Sequence, residues 1–553
     1  MAANLRHAGT DVVVADNENL AKELDANIIR DAADADANEH KMSLPEAFRI
    51  HKKAIFWSMA LSAALIMEGY DVVIIGAFNG HPAFKRRFGR VNPAAPDGFE
   101  IPAEWQSALG NGSSAGGILG LLVNGWAADK YGPKIVLLIS IVSLTAFIFI
   151  TVFAKSLTML VIGEVLCGIP WGVFQTLTTA YASEVCPIQL RGYLAAYVNM
   201  CWGIGIVISS VIADASIRLL PETSDWSWRM PFIVQWVWVI PLFLIFLFCP
   251  TSPWWLVRQG RLEDAAKQIR RLTSEKYYSE EQIKHQVAMM VHTNALEIQN
   301  AAGTSYFDCF RGIDRRRTEI SMMVFASQLL SGQNLIGQGV QFLQRAGLAT
   351  RMAFKLNMVL NSMFCIGTIA SWGLMYFFGR RTLYTSGMLA MCITVWVIGG
   401  LGYAEQTTGV SRGMGGLLIA LNFVYNSTLG PICYTLIAEV SSTRLRAKTV
   451  ALSRIAYQIV NIICGIITPR MLTVSSWNWG AKSGIFWGVI SFLTLIYLLL
   501  RLPETRGRSY GELDLLFEHR IPAWRFKSTK VDQFAVRSKS TDLDDKEDIK
   551  HVD

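Results

Sequence analysis

The feature that most constrains this chain is a series of apolar runs, each about 20 residues long, that recur along most of its length. A run of this length, coiled as a helix, crosses a hydrocarbon core about 30 Å thick. Only 17% of the residues are charged, against about 25% in soluble domains, and these charges are gathered in short stretches between the runs. The sequence therefore predicts an all-α membrane protein.

The runs predict twelve transmembrane helices in two six-helix halves, which a polar stretch separates. The spans are expected near 54–78, 105–128, 134–154, 158–180, 193–215, 230–249, 317–340, 352–378, 383–403, 412–439, 448–470 and 480–501. The predicted domains are a disordered cytoplasmic N-tail (1–50), an N-terminal half (51–249), a cytoplasmic central loop (250–316), a C-terminal half (317–502) and a cytoplasmic C-tail (503–553). The central loop has a helical pattern at Leu262–Leu272, and the C-tail is expected to be disordered from Phe526 onward.

Lysine and arginine residues are concentrated in the central loop and in the loops that follow the even-numbered spans. Because cytoplasmic loops carry the excess of positive charge, both termini are predicted to be cytoplasmic. One loop disagrees, since Lys85, Arg86, Arg87 and Arg90 follow the first span on the predicted outside. The net charge of +8 fits loops that face anionic lipid and does not require nucleic acid as a partner.

The two halves repeat each other. Glu184 and Arg191 after the fourth span recur as Glu439 and Arg446 after the tenth, with the same spacing within each pair and an offset of about 250 residues. A duplicated set of six spans with a substrate site between the halves is the architecture of the major facilitator fold.

Ionisable residues deep inside predicted spans are costly and usually functional. Glu68 and Asp71 are three residues apart on one face of the first span, Glu164 lies in the fourth span, and Arg454 lies in the eleventh. We interpret them as a proton-coupling network, in which a carboxyl is protonated in one conformation and paired with a cation in another. The alternative is a static ion pair that holds helices together.

The loop GWAADKYGPK at 125–134 suits a mechanical role. Gly125 and Gly132 predict a tight cytoplasmic turn next to Lys130, and Asp129 is placed to accept bonds from a helix N-terminus. We expect a latch that holds the two halves together when the protein opens outward, although an ordinary charged turn is the alternative. The predicted latch also includes residues of the other loops, namely Glu184, Arg191, Arg380, Arg381, Glu439 and Arg446.

Amide side chains in otherwise apolar spans are candidates for binding hydroxyl groups of a solute. The predicted substrate-binding residues are Gln175, Asn199, Gln328, Gln333 and Asn334, with Tyr434 as an aromatic platform. Gln338, Asn361 and Asn426 have the same character. Each amide taken alone is equally consistent with a helix–helix contact.

The sequence contains no P-loop, no metal-ligand spacing and no nucleophile elbow. We therefore expect a transporter that is not an enzyme, with no cofactor and the proton gradient as its driving force. The nine cysteines fall almost entirely within apolar runs, so no disulfide framework is expected.

The chain resembles the sugar porter family of the major facilitator superfamily, and in particular the fungal maltose and α-glucoside permeases. The motifs that carry the resemblance are MEGYD (67–71), the 125–134 loop, LCGIPWG (166–172), ASEVCP (182–187), WRMPF (228–232), SPWWLV (252–257), STRLRAK (442–448), WNWGAKSG (477–484) and PETRG (503–507). The resemblance implies a monomeric proton symporter of the plasma membrane that takes up a small neutral polyhydroxylated solute such as maltose.

The resemblance also assigns roles to single positions. It makes Asp71 the proton site and places Asn199, Gln328, Asn334 and Tyr434 at sugar-binding positions of the family. The chain also departs from the family pattern: Glu164 stands where the broad family has Arg, Leu329 replaces a Gln, and Gln338 with Gly339 replaces a pair of Tyr. These departures leave open a carrier of a secondary metabolite or another glycoside. A nutrient sensor that no longer transports, with its tails as signalling elements, is a separate alternative.

Overall fold

The computed structural model describes residues 42, 44–93, 95, 98–221, 223–274, 279–301, 306–405, 407–442, 445–506, 508 and 510–529. The predicted N-tail up to residue 41 and the predicted C-tail from residue 530 lie outside the described residues.

The N-terminal half contains spans 1 to 6. Their helices are Lys52–Ser62 with Ala64–Phe78 (span 1), Ala103–Tyr131 (span 2), Pro133–Val152 (span 3), Leu157–Val185 (span 4), Ile188–Leu219 (span 5) and Trp226–Val234 with Trp236–Phe248 (span 6). Between spans 1 and 2, the helix Pro82–Phe88 leads into an antiparallel hairpin of β1 (Arg90–Val91) and β2 (Phe99–Glu100). We refer to β1 and β2 as the first-loop hairpin.

The C-terminal half contains spans 7 to 12. Their helices are Asp314–Gln328, Leu329–Gln333, Asn334–Gly337 and Gly339–Arg345 (span 7), Thr350–Phe377 (span 8), Arg380–Leu401 (span 9), Thr408–Ser427 with Leu429–Val440 (span 10), Arg446–Leu472 (span 11) and Gly480–Lys482 with Ser483–Arg501 (span 12).

Ten helices of the described part of the chain are long and apolar enough to cross a membrane by length and composition alone. Spans 2 and 7 are not among them. Span 2 is an unbroken helix of 29 residues whose many Gly, Ser and Asn residues lower its hydropathy, and span 7 is divided into short pieces. Spans 2 and 7 and the ten apolar helices together make the twelve membrane helices that the sequence predicted.

Span 7 is broken because Gly332 has a φ angle of 90°, which only glycine adopts readily. A Cβ atom at this position would also lie 2.8 Å from Cγ2 of Val395 in span 9. The Leu329–Gln333 turn is wider than an α-helical turn as a result. The prediction of a single span near 317–340 did not include this break, and the helical segment extends further, to Arg345.

The central segment between the halves forms the helices Pro253–Arg258, Leu262–Leu272 and Glu280–Ala301 and the short helix Tyr306–Phe310. The predicted helix at Leu262–Leu272 is confirmed with its boundaries. Leu256, Ile269 and Ile283 pack together in a small core of their own. The segment that the sequence marked as a polar loop is thus a folded helical layer.

The predicted tail disorder is wrong where the structure describes the tails. Leu44–Ile50 is a helix, and its Ala47 is fully buried against the N-terminal half. Beyond span 12 the chain forms the helices Tyr510–Glu518 and Ala523–Arg525, and Phe526 is fully buried with its ring 5.1 Å from that of Phe517. Apolar residues in otherwise polar stretches anchor both segments.

Each half has its own hydrophobic core. The halves meet where span 2 contacts span 11, where span 5 contacts span 8, and where span 1 contacts the end of span 7. We call the end of the bundle that carries the first-loop hairpin the first-loop face, and the opposite end the central-segment face. This arrangement leaves a cavity between the halves.

Candidate functional site

The cavity between the halves has a volume of about 320 Å³ and is lined by residues of spans 1, 2, 4, 5, 7, 8, 10 and 11. A cavity of this size lies within the range of small-molecule sites. Its wall includes many amide side chains and several aromatic rings, and both halves contribute to it. It is therefore the candidate substrate site.

All six predicted substrate-binding residues line this cavity, although they come from four different spans. They are Gln175, Asn199, Gln328, Gln333, Asn334 and Tyr434. Gln338 and Asn426 line it as well. Asn361 does not, because its amide donates to Ser210 Oγ at 2.7 Å and joins span 8 to span 5.

The aromatic and amide groups of the C-terminal half are held in place by one another. Tyr434 is 42% exposed, and its ring edge contacts Phe325 at 5.7 Å between centroids. Tyr425 donates to Gln328 Oε1 at 2.8 Å. Asn334 donates to the Leu329 carbonyl at 2.9 Å, across the wide turn of span 7. The break in span 7 thus positions the amides that the sequence singled out.

Two of the four predicted coupling residues line the cavity and are linked through an amide. Arg454 Nη2 in span 11 donates to Gln175 Oε1 in span 4 at 2.9 Å. Gln175 Nε2 in turn donates to Glu68 Oε1 in span 1. The guanidinium also lies over the ring of Tyr457, 4.9 Å from its centroid. Gln175 therefore joins a carboxyl of one half to a guanidinium of the other.

The other two coupling residues, Asp71 and Glu164, are buried in the N-terminal half behind the cavity wall. Asp71 Oδ1 accepts a hydrogen bond of 2.6 Å from Gln235 Nε2 in span 6. Neither carboxyl oxygen of Glu164 has a hydrogen-bond partner in the part of the chain that the structure describes. The two carboxyls are close enough to interact electrostatically. They form a buried acidic pair without a guanidinium between them.

The latch residues of the N-terminal half contact the central segment. Glu184 accepts from Arg258 Nη2 at 2.6 Å and from the Ser252 hydroxyl. The carbonyl oxygen of Asp129 accepts from the Trp255 indole at 3.3 Å and from Gln259 Nε2 at 3.2 Å. The predicted contact of the Asp129 carboxylate with a helix N-terminus is thus replaced by contacts of its backbone oxygen.

Of the two latch glycines, only Gly132 forms the predicted turn. Its φ angle is 88°, and a Cβ atom there would lie 3.0 Å from the Trp255 ring. Gly125 lies inside the span 2 helix with no neighbour within 4 Å of its Cβ position, so the prediction of a turn at Gly125 is wrong. Lys130 lies over the Trp126 ring at 5.0 Å from its centroid.

The latch residues of the C-terminal half form the matching contacts. Arg380 Nε lies 3.6 Å from Glu439 Oε1. The backbone N–H of Arg381 donates to Glu504 Oε1 at 3.4 Å. The side chains of Arg191 and Arg446 lie outside the described part of the structure. These observed contacts lie within one half or between it and the segment that follows it, whereas the sequence predicted a latch between the halves.

Sequence reasoning missed two residues that hold the site together. Gln235 binds Asp71, and Tyr425 orients Gln328. Gln235 carries the same signal as the amides that were selected, because it is a lone amide between Pro231 and Pro241 in an apolar span. Tyr425 carries no such signal, because tyrosine is common in apolar spans.

The profile of the sugar (and other) transporter family matches residues 57–517. The chain belongs to this family. The general alpha-glucoside permease of Saccharomyces cerevisiae (strain ATCC 204508 / S288c) is 38% identical over 523 residues, which cover 94% of this sugar transporter and 84% of that protein. In the same strain, alpha-glucosides permease MPH3 is 41% identical over 522 residues, which cover 93% of this chain and 85% of that protein. Maltose permease MAL31 is 38% identical over 539 residues, which cover 97% of this chain and 87% of that protein.

Solved structures of the xylose transporter XylE have the same fold as this sugar transporter. The proton:xylose symporter XylE bound to 6-bromo-6-deoxy-D-glucose superposes with a TM-score of 0.67 at 19% identity, over 84% of this chain and 100% of that one. The inward open XylE from E. coli gives a TM-score of 0.66 at 18% identity, over 84% and 99%. The predicted major facilitator fold is confirmed, and the permease relatives confirm a transporter that is not an enzyme.

Proposed function

We propose that this sugar transporter imports an α-glucoside such as maltose together with protons, by alternating access in the plasma membrane with both termini in the cytoplasm. The names of its alpha-glucoside and maltose permease relatives support the substrate class. The amide-rich cavity also supports it, because a neutral solute with many hydroxyls needs donors and acceptors and little charge. The cytoplasmic side is assigned from the Lys and Arg bias of the loops.

The observation that carries the proposal is the chain of groups from Glu68 through Gln175 to Arg454. It lies in the wall of the cavity and crosses from the N-terminal to the C-terminal half. Any rocking of the halves changes the distance between Arg454 and Gln175. A proton that changes the charge of Glu68 therefore acts on the same contact that the rocking motion breaks.

The charges of the cluster favour proton binding. In the described part of the chain, the carboxyl of Glu68 interacts electrostatically with Asp71 and with the guanidinium of Arg454, and Asp71 interacts with Glu164. Three neighbouring carboxyls thus face one guanidinium. Ionising all three in a medium of low dielectric constant leaves an uncompensated negative charge, which is costly inside a membrane. We infer that the cluster takes up a proton from the outer side and releases it on the cytoplasmic side.

Coupling follows if sugar and proton together favour a conformation that neither favours alone. The bound sugar contacts amides of both halves, and the proton neutralises a carboxyl of the cluster. Neutralisation of Glu68 weakens its bond from Gln175 and so weakens the link to Arg454. The loaded carrier then reorients, whereas a carrier with only one of the two ligands is held back.

The proposal is tested by uptake of labelled maltose into transporter-free cells that express the chain, at about pH 5 and about pH 7. Uptake is expected to be several-fold faster at the lower pH, because the proton is a co-substrate. Asp71→Asn is expected to abolish the acceleration by acid, because it removes one negative charge from the group of interacting carboxyls that binds the proton. Glu319→Gln is the matched control, because Glu319 is also a carboxyl within a span but pairs with Arg501 away from the cavity.

Two results of this uptake experiment would contradict the proposal. Absence of maltose uptake at both pH values, with the protein present at the cell surface, rules out this substrate. Competition by other glycosides and by secondary metabolites then identifies the transported class. Maltose uptake that is equal at both pH values in the unmodified chain rules out proton coupling and leaves a facilitator.

A further inference from the structure

Polar contacts between the two halves form a continuous seam on the first-loop side of the cavity. Ser107, Asn111 and Ser114 share one face of span 2, since they are spaced three and four residues apart. The hydrogen bonds of this seam are Gln106 Nε2 to Thr473 Oγ1 at 3.2 Å, Ser107 Oγ to the Ile466 carbonyl at 3.4 Å, Asn111 Nδ2 to the Ile462 carbonyl at 3.2 Å, and Asn461 Nδ2 to Ser114 Oγ at 2.9 Å.

A carboxylate closes the outer end of this seam. Glu100 Oε1 accepts from the backbone N–H of Val474 at 2.6 Å, and Glu100 Oε2 accepts from the backbone N–H of Ser475 at 3.2 Å. Both donors belong to the C-terminal half, in the turn after span 11. Glu100 is only 8% exposed, and Asn92 Nδ2 of its own half also donates to Oε2, at 2.9 Å. Bonds to an ionised acceptor are among the stronger hydrogen bonds.

The segment that carries Glu100 is fixed to the N-terminal half. Glu100 lies on β2 and pairs with Arg90 of β1. The preceding helix Pro82–Phe88 packs on span 6 through Phe84 and Phe88, whose rings contact that of Trp228. The basic loop that disagreed with the charge bias of the sequence is therefore a folded support that presents Glu100 to the other half.

The turn that Glu100 binds is fixed to the C-terminal half. Arg345 at the end of span 7 donates from Nε to the Leu472 carbonyl at 3.1 Å and also binds the Asn478 side chain. Arg345 is close enough to Glu100 for the two opposite charges to interact. An acceptor that is held by contacts with one half thus meets a pair of donors that are held by contacts with the other.

We propose that Glu100 is the latch of the first-loop face, a positioning residue that holds the two halves together while the cavity is closed on that side. The proposal rests on the alternating access proposed above, because opening the first-loop face separates the halves and breaks both bonds of Glu100. The residue acts through this conformational equilibrium, since it does not line the cavity.

The first test measures access to the cavity from the first-loop side, without any sugar. Ser113→Cys places a thiol of similar size in the cavity wall, and a membrane-impermeant thiol reagent is applied to intact cells. Adding Glu100→Gln replaces a charged acceptor by a neutral amide, which is expected to raise the labelling rate about tenfold, as loss of a charge-assisted hydrogen bond implies. Glu104→Gln is the matched control, because Glu104 is a nearby exposed carboxyl.

Labelling of the Glu100→Gln chain at the same rate as the Glu104→Gln chain overturns the proposal. The chain with its native cysteines alone gives the background rate. Because this readout needs neither sugar nor protons, it separates the latch from the proposed function. Accelerated labelling in a chain that takes up no maltose supports the latch and counts against the substrate.

The second test replaces the contact of Glu100 with a covalent link that can be opened again. Glu100→Cys with Ser475→Cys is treated with a short bifunctional thiol reagent that a reductant can cleave. Cross-linking is expected to abolish uptake, and the reductant is expected to restore it. Uptake that continues at the original rate in fully cross-linked protein overturns the proposal, because the two residues then need not separate during transport.

Discussion

Arg454 shows at the scale of one residue how this transporter holds a cation inside the membrane. Its guanidinium donates to Gln175 and lies over the ring of Tyr457, while Glu68 is reached only through the Gln175 amide. An amide is suited to this position, because its oxygen accepts from the cation while its nitrogen donates to the carboxylate. Gln175 thus has a second role beside its predicted contact with substrate.

The role of Gln175 is tested by Gln175→Met, which keeps an unbranched side chain of similar length and removes both hydrogen bonds. Because this variant already lacks the link that protonation of Glu68 weakens, we expect initial maltose uptake to lose its several-fold acceleration between about pH 7 and about pH 5.

The matched control is Thr179→Val, one helical turn further along span 4, where the exposed hydroxyl binds only backbone carbonyls. The expected result is uptake close to that of the unmodified chain. If the Gln175→Met protein reaches the cell surface and keeps both the maltose uptake rate and the pH dependence of the unmodified chain, the amide link has no part in coupling.

The sequence identified the chemical type of the site residues better than their contacts. Glu68 and Arg454 stood out because charge inside a span is costly, and the six substrate-binding candidates all line the cavity. That Gln175 joins Glu68 to Arg454 depends on how span 4 meets span 11, and no local pattern contains that information. Asp71 was predicted as the proton site, yet the structure places it behind the cavity wall with Gln235.

At the scale of helices, the packing of span 2 on span 4 explains why span 2 is so rich in small residues. A Cβ atom at Gly116 would lie 1.9 Å from the Val165 carbonyl oxygen, and one at Gly168 would lie 2.3 Å from the Ser113 carbonyl oxygen. Small residues let helix backbones approach closely in a membrane. The same contact places Glu164 against span 2, since a Cβ atom at Gly112 would lie 2.9 Å from the Glu164 Cβ.

A methyl group is therefore expected to have opposite effects at two glycines of the same helix. Gly116→Ala forces spans 2 and 4 apart, and overpacking of this kind costs about 1–3 kcal/mol. Gly125→Ala meets no neighbour within 4 Å and is expected to be tolerated, since alanine favours a helix over glycine by about 0.5–1 kcal/mol. Thermal unfolding of the purified protein in detergent measures both effects.

For this pair of variants, we expect a lower melting temperature and a smaller monodisperse fraction with Gly116→Ala, and an unchanged or higher melting temperature with Gly125→Ala. Equal melting temperatures would show that the close approach of spans 2 and 4 is not required. A drop confined to Gly125→Ala would contradict the assignment of Gly125 to the interior of the helix.

The existence and order of the spans could be read from the sequence, because membrane helices must satisfy their backbone hydrogen bonds internally and so need long apolar runs. The break in span 7 could not. It depends on Val395 of span 9 lying where a side chain at residue 332 would be, which is a tertiary contact. The buried tail segments at Ala47 and Phe526 were missed for the same reason.

At the scale of the whole molecule, bonds between the two halves include the seam on the first-loop side, the Arg454–Gln175 bond in the cavity and the Asn361–Ser210 bond between spans 8 and 5. The latch contacts of Glu184 and Glu439, on the central-segment side, lie within each half and its following segment. The internal repeat predicted two similar halves. It did not indicate which face of the bundle is closed, because the same sequence must support both states of an alternating carrier.

The measurement that tests proton-coupled sugar transport most directly is the pH of a weakly buffered suspension of cells that express the chain, recorded as maltose is added. We expect the medium to become more alkaline at once, at an initial rate proportional to that of maltose uptake, and we expect Asp71→Asn to abolish this change. Entry of maltose at an undiminished rate with no change in the pH of the medium would contradict the proposal.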